Sequence, residues 1–528
     1  MIGGNDKFSN RLFERPTSVN KVRVAQTDFE DSMPTIGYAE LISRLSLVVR
    51  PLAKRAEISG SVNRRVDSAD RVLFPRGVAI EDTLVGHLEF ALRHEGVNLE
   101  VIDALFEHLL PQDLLARLNA APNGAHIRRA CHLWEWLTGQ ELPAEALPAG
   151  GYVDLFPGDD YVTAGQPTND RKFRVRNNAL GTADFSPVVR RAAVPSAPSL
   201  AELLDKARET LASVTDPSLH ERALSYLYLS ETRSSFEIER EHPSSDKQER
   251  FVQLLRRAGE TTQVTEDWLV SLQNAVVRDV YSQEVSYRTR QNWLEDATGR
   301  VTFFPVPQAE LARAMRGWEA FINDDDLCTD VLVKAAAAAF GFVYLHPFMD
   351  GNGRLHRFLI HHVLTHSGLL PTGTVVPVSA VILKNIPAYL EVLAGFSQPV
   401  TRLWRYVRAE DAPHVTAHPG SRAYRFFDAS TEVAFLHRMI QQAVEDEIPR
   451  ELAWLSGYDK AFAQLDAEFD LPRKDLSALI RMAQSSQGRL SARRRKQYFH
   501  LPADVLDRVE EVVRESFGLS AREGAEEG

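Results

Sequence analysis

The chain has 528 residues, 44% of them hydrophobic and 25% charged, and a formal net charge of −11. That length implies about two to four domains, and the composition is that of a globular protein in water. The negative balance argues against wholesale nucleic-acid binding, and two cysteines, Cys131 and Cys328, cannot build a disulfide framework. The first thirty residues lack the apolar stretch of a signal peptide. The longest apolar run is about 15 residues and contains Lys334, short of the roughly 20 that a membrane span takes. A cytoplasmic protein without membrane association is expected.

Residues 1–70 are mixed and polar, and predict a partly ordered lead-in. From Ile80 the pattern turns helical. Leu84, Leu88, Ala91 and Leu92 share a face behind Glu81 and Asp82, and Val101, Leu105, Leu109 and residues 127–136 continue it. Residues 141–198 are irregular, punctuated by Pro143, Gly150, Gly151, Pro157, Pro195 and Pro198. They read as a linker wrapped over a neighbour or as a small domain. The stretch 71–198 is therefore expected to be an N-terminal helical domain with its linker.

Helical order resumes at Ser199, an N-cap, with Leu200, Leu203, Leu204, Ala207 and Leu211 on one face. A second helix carries Leu224, Leu227 and Leu229 towards residues 234–241. A third covers 267–280, with Trp268, Leu272 and Val276 apolar. Residues 300–306 are β-branched and aromatic between Gly299 and prolines, which predicts an extended hairpin. Leu311, Met315, Trp318 and Ile322 mark the next amphipathic helix, and Asp324, Asp325 and Asp326 read as a loop or cap. Residues 331–345 hold five consecutive alanines and only one charge, so a helix packed on most of its sides is predicted. After residue 370 come a Pro/Gly/Val turn, helices to about 408, and a C-terminal helical stretch over 426–528. There Phe435, Met439 and Ala443 are periodic, and the basic cluster at 493–496 reads as a solvated face rather than a nucleic-acid contact.

Residues 346–357 read His-Pro-Phe-Met-Asp-Gly-Asn-Gly-Arg-Leu-His-Arg. Pro347 stops the preceding helix. Gly351 and Gly353 flank Asn352 and can take positive φ, so the loop can turn its amides inward as an anion nest. A second helix starts near Arg354, its dipole facing the same cavity, with Arg354 and Arg357 on one face. Asp350 is a hard oxygen ligand suited to Mg²⁺, and the arginines supply charge-assisted contacts to phosphate. His346 titrates near neutrality in its free form and is the candidate general base. The set is equipped for a polyphosphate and its metal, and nucleotidyl or phosphoryl transfer fits better than acyl transfer. An EF-hand loop is excluded by the missing later acids, and a P-loop by the missing Gly-Lys-Ser/Thr. His362 and His366, four apart, lack a third metal ligand and read as packed or surface histidines.

The stretch from His346 to Arg357 resembles, without departure, the signature H-x-F-x-D/E-G-N-G-R-x-x-R of the Fic (Fic/Doc) family. The resemblance extends over residues 200–406. Residues 287–293 and 302–307 look like the stretch leading into the family's target-binding flap, carried here by Thr302, Phe303 and Phe304. Asn385 and Tyr389 resemble its nucleotide-side helix. The resemblance implies a mainly α, multi-domain protein with a central helical Fic core that carries a β-hairpin flap. The Fic domain would cover 199–425. It further implies transfer of AMP from ATP, with Mg²⁺, to a Ser, Thr or Tyr hydroxyl of a target protein. His346 would be the base, Asp350 the metal ligand and Asn352 an α-phosphate contact. Gly351 and Gly353 would shape the phosphate loop, and Arg354 and Arg357 would hold the β- and γ-phosphates.

Residues 234–241, Ser-Ser-Phe-Glu-Ile-Glu-Arg-Glu, resemble the family's inhibitory motif S/T-x-x-x-E-G/N, with Ser235 and Glu239 in place and Arg240 where Gly or Asn is usual. By that resemblance Glu239 pairs with Arg357 and blocks the γ-phosphate site. Removal of AMP on the same site, with Glu239 orienting a water, stays open. So do automodification, homo-oligomerisation, and a non-catalytic adaptor that uses the basic C-terminal segment. Strand addition along residues 302–306 is the expected mode of target recruitment.

Overall fold

The computed structural model describes residues 33–147, 150–260, 263–277, 280–409 and 412–519. The protein is mainly α and multi-domain, with few and short strands. Among the described residues no single helix is long and apolar enough to cross a membrane.

The first unit begins earlier than the composition suggests. The lead-in expected to residue 70 falls outside the described residues only to 32. From Ile36 onward the chain is packed, through the helix Gly37–Leu45 and a three-stranded sheet. In that sheet Arg55–Ser59 runs parallel to Arg71–Pro75, and Val66–Asp67 pairs on the other side. Tyr38, Leu41, Leu88, Leu105, Ile127 and Leu133 form its main core with almost no exposure. Polar composition hid this segment because only alternate residues of its short elements face inward.

Residues 141–198 likewise belong to this unit. Leu155, Phe156, Tyr161, Phe173 and Val175 are buried in the same core. Strand Val175–Asn177 joins Val153–Asp154 in parallel and Thr168–Asp170 antiparallel. Arg128 replaces missing ladder bonds by donating to the carbonyls of Phe173 and Gly151. The unit is also bolted to the central one: Arg422 pairs with Asp103, and Ser186 and Val188 donate to the carbonyls of Arg425 and Phe427.

The central core is built around the helix Val331–Leu345. Residues 332–342 are buried without a break. A helix enclosed on every side must have small side chains where its neighbours approach, which is why alanine fills 335–339. Trp318 closes against it and donates its indole N–H to the Ala338 carbonyl at 2.8 Å. Lys334 is buried, and its ammonium pairs with the exposed Asp325 at 2.5 Å, which gives the acidic run after the helix Gln308–Asn323 a structural use. Cys328 is buried nearby, as Cys131 is in the first unit, and burial pushes both thiols up to about 12.

The expected boundary at residue 426 cuts through this core. Val433, Phe435, Leu436, Met439 and Ile440, on the helix Ser430–Gln442, pack against the alanine-rich helix as far along as Ile448. A π-turn at Ala443–Glu447 then leads into Ile448–Glu468, whose far half joins Arg473–Ser485 and Ala503–Phe517 in a separate apolar cluster. In the basic run of that cluster Arg495 pairs with Asp507 and Glu510, and Arg494 caps the Met482 carbonyl.

Candidate active site

Two helices and the loop between them set the site. Val331–Leu345 ends at His346, which takes φ 53°, a left-handed conformation that reverses the chain. Gly351 takes φ 88°, and a Cβ there would lie 3.3 Å from Val277, so glycine is required. The next helix, Asn352–His366, starts directly after it. Gly353 departs from the expectation of positive φ: it is the second residue of that helix. A Cβ there would meet the Glu239 carboxylate at 2.2 Å, so a side chain at 353 would displace that carboxylate from its place beside Arg357.

His346 is nearly fully buried, and its Nδ1 lies 3.2 Å from the Val343 carbonyl. That contact assigns the proton to Nδ1 and leaves Nε2 as an acceptor. Burial first, and then the cation of Arg288, hold the imidazole down at about 4, against smaller opposing effects from the Val343 carbonyl and Asp350. At neutral pH it is an uncharged base.

Asn352 does not present its side chain to the cavity. Its Oδ1 accepts from the Phe348 N–H at 3.1 Å and its Nδ2 donates to the Phe348 carbonyl at 2.8 Å, closing the loop on itself. In the described state both groups of this amide, expected to contact an α-phosphate, are used within the loop. Asp350 is partly exposed, with Oδ1 accepting from Gly351 N–H at 2.6 Å and from Arg354 at 3.1 Å. Among the described residues no group of three or more His, Cys, Asp or Glu is placed to hold a metal. A cation at Asp350 would therefore complete its shell with phosphate and water, which is how Mg²⁺ binds. His362 and His366 stack at 5.7 Å with no third ligand.

Arg354 and Arg357 are each 1% exposed. Both are held by the end of the helix Pro217–Ile238. Arg357 donates to the Ser235 hydroxyl at 2.9 Å and to the Ser235 carbonyl at 2.6 Å. Its Nη1 lies 2.9 Å from Glu239 Oε1, an ion pair off the hydrogen-bond direction. Arg354 donates at 2.7 Å to Glu241 and at 2.8 Å to the Val276 carbonyl, and lies over the Phe236 ring. Burial pushes the Glu241 carboxyl up against the pull of Arg354. Arg354 Nε and Arg357 Nη1 remain buried without a hydrogen-bond acceptor. Two carboxylates thus satisfy the arginines incompletely, and an anion with more oxygens would do better.

The turn that delivers these acids is a helix C-cap. Glu241 N–H donates to the Phe236 carbonyl and Arg240 N–H to the Glu237 carbonyl, the paired bonds of a Schellman motif. Its left-handed position is Arg240, at φ 58°. The resemblance has Gly or Asn there, and the backbone is the same with arginine. Sequence reasoning missed Glu241, although a Glu-Arg-Glu run after a helix end was the available signal.

The remaining residues are placed differently from expectation. Tyr389 packs on His356 and Phe435, and burial pushes its hydroxyl up to about 12 against the opposing pull of the Arg357 cation. Asn385 is not turned to the site: its amide donates to Val381 and Gln442 at the elbow between Val378–Lys384 and Ile386–Thr401. The hairpin exists, Leu294–Glu295 against Val301–Phe303. However, Phe303 is buried 6.5 Å from the His346 ring, and Phe304 stacks on Trp404 at 4.6 Å with no exposure. The Thr401 hydroxyl bridges Phe304 N–H and the Thr302 carbonyl, which closes the strand edge that strand addition would need. The helix expected to reach 280 ends at Val276, and residues 278–279 lie outside the described set.

Residues 263–364 match the family model of the Fic/DOC family. This chain carries a Fic/DOC family domain. A 68-residue stretch is 37% identical to "Protein adenylyltransferase Fic" of Drosophila erecta, and a 70-residue stretch is 34% identical to "Protein adenylyltransferase fic-1" of Caenorhabditis elegans. Each stretch is 13% of this chain and only 14% of the relative. Among solved structures, a Fic domain containing signaling protein from Bacteroides thetaiotaomicron aligns with TM-score 0.36 at 17% identity, over 48% of this chain and 97% of that one.

Two stability outcomes follow from the site's packing. Arg240→Gly removes a left-handed non-glycine residue and should stabilise the protein by up to about 1 kcal/mol, read as a rise in Tm. Phe303→Asp buries a carboxylate in the core and should lower Tm by several degrees and weaken ligand binding together with any transfer. If Tm and ligand binding stay at wild-type values while transfer alone falls, Phe303 is a recognition residue after all.

Proposed function

We propose that the protein is a protein adenylyltransferase that moves AMP from ATP to a Ser, Thr or Tyr hydroxyl of a target protein, and that the described conformation is its resting, self-inhibited state. The observation that carries this reading is the placing of a neutral, buried His346 beside a glycine loop and two buried arginines held by movable carboxylates. In the reaction the target hydroxyl gives its proton to His346 Nε2 as its oxygen attacks the α-phosphorus. The bond from that phosphorus to the β-phosphate oxygen breaks, and pyrophosphate leaves against Arg354 and Arg357. Asp350 would hold Mg²⁺, which supplies neutralisation of the phosphate charge. The loop amides of Gly351 and Gly353 lie at the helix N-terminus, where phosphate is favoured.

Inhibition follows from competition for the same donors. Ser235 and Glu239 occupy Arg357, and Glu241 occupies Arg354, so the β- and γ-phosphates find both arginines taken. The target, the modified residue and the oligomeric form belong to the same experiment: labelled ATP with a lysate, followed by mass spectrometry of what is labelled. Loss of AMP from a pre-labelled target in the same assay would favour the hydrolytic alternative.

His346→Ala should abolish transfer and leave ATP binding within about twofold, because a base acts in the transition state and does not hold phosphate. Wild-type labelling by that variant would remove His346 from the mechanism. Glu239→Gly should raise transfer tenfold or more, equivalent to about 1.4 kcal/mol. Glu241→Gln should also raise it, and the double variant should exceed either single one. No gain from Glu239→Gly at saturating ATP and Mg²⁺ would end the inhibitory reading and leave the catalytic one standing.

A further inference from the structure

Arg288 is 3% exposed, and its side-chain donors go to main-chain carbonyls: His346 at 2.9 Å, Val306 at 2.5 Å and Arg290 at 3.1 Å. Its own N–H donates to the Pro347 carbonyl at 2.7 Å. Asn292 follows with a bond to the Phe348 carbonyl at 3.2 Å. Three successive carbonyls of the motif, 346 to 348, are thus held by residues 288–292. The same guanidinium grips the end of the flap at Val306. Among the described residues no carboxylate pairs with Arg288, so burial lowers it to about 10 with little relief. A buried cation without a counter-ion is expensive to keep, and what offsets that cost here is the set of main-chain carbonyls its donors satisfy.

We propose that Arg288 is a positioning residue for His346, fixing the left-handed turn that aims the imidazole and coupling that turn to the flap. This rests on the adenylyltransferase reading for its kinetic part only. The guanidinium can hold two carbonyls at once because its donors form a rigid fork, which lysine lacks. Its charge is also the nearest cation acting on the imidazole. Asp350 opposes it from the loop, and Phe303, packed against the same ring, contributes no charge. Loss of Arg288 therefore raises the pKa of His346. The base form is then lost at higher pH, so the acid limb of the rate profile moves up.

The test uses the full chain with Glu239→Gly to relieve inhibition, comparing Arg288→Met and Arg288→Lys. Arg288→Met should lower kcat at least tenfold, keep the Kd for ATP within about threefold, and move the acid limb to higher pH. Arg288→Lys should keep the limb near the wild-type position and recover only part of the rate. In parallel, NMR of histidine-labelled protein, with His346→Gln to assign the signal, follows the imidazole titration without any need for transfer activity. A chain that transfers no AMP but whose His346 titration shifts upward in Arg288→Met overturns the enzyme reading and retains the positioning. An unmoved titration with unchanged kcat overturns the positioning. So does loss of kcat and ATP binding together with an unmoved titration. If Arg288→Met does not fold, Arg288→Lys decides: full wild-type kcat would overturn the need for the fork.

Discussion

Two guanidinium groups with almost no contact with water set the terms for this site. A buried cation without a partner is strongly unfavourable, so Arg354 and Arg357 must always be occupied by something acidic or by carbonyls. In the described state the occupants come from the helix Pro217–Ile238 and its cap. That helix crosses Asn352–His366 in steps of one turn. Glu231 meets His361 at 2.8 Å, Ser235 meets Arg357, and Glu239 lies over Gly353. Positions four apart on each helix face each other in opposite order, as neighbours on one stripe must. Glu231, also bonded to the Ser379 N–H at 2.7 Å, fixes the register from the end farther from the motif.

His346 depends on a different constraint. It lies where an enclosed, alanine-rich helix ends, and its own side chain reaches only the Val343 carbonyl, leaving the carbonyls of 346–348 to partners from elsewhere. The loop 288–292 supplies donors from outside to the main-chain carbonyls of residues 346–348, contacts that carry no sequence signature. The site is thus anchored on two sides. The turn at His346 is tied to the flap through Arg288 and Val306. The arginines are tied to the upstream helix, and Asp350 links the two through its bond to Arg354.

The motif residues were legible in the sequence because chemistry and spacing coincide within twelve positions. Their individual bonds were less so. Asn352 carries both donor and acceptor groups, and the nearest carbonyl and N–H, both of Phe348, consume them before any ligand arrives. Gly353 reads as a conformational glycine, yet it is helical, and the space beside it is taken by the carboxylate of Glu239, over a hundred positions away. Phe303 and Phe304 look like a hydrophobic edge strand, but a strand of three residues beside Trp404 and His346 buries them on both faces. Residues 33–70 and 141–198 have the composition of loops because short elements offer too few inward positions to make a period. Buried Arg288 is the case where the sequence carries least signal, since arginine is ordinarily read as surface.

The arrangement of the cap explains how one segment can occupy two arginines and still let go. Glu239 and Glu241 flank a single left-handed residue and reach opposite arginines only while the two capping bonds to Phe236 and Glu237 persist. Under the proposed inhibition, loss of that turn would withdraw both carboxylates together, since Glu231 contacts His361 two turns away and does not depend on it. The non-glycine φ at Arg240 weakens the turn by roughly 1 kcal/mol relative to glycine, so the capped state is held less firmly than the helix that carries it. Anions compete for the same donors, and each buried guanidinium nitrogen left without an acceptor favours a ligand richer in oxygen. On the proposed inhibition the point of release would therefore be the cap rather than the helix, set by backbone geometry on one side and unfilled donors on the other.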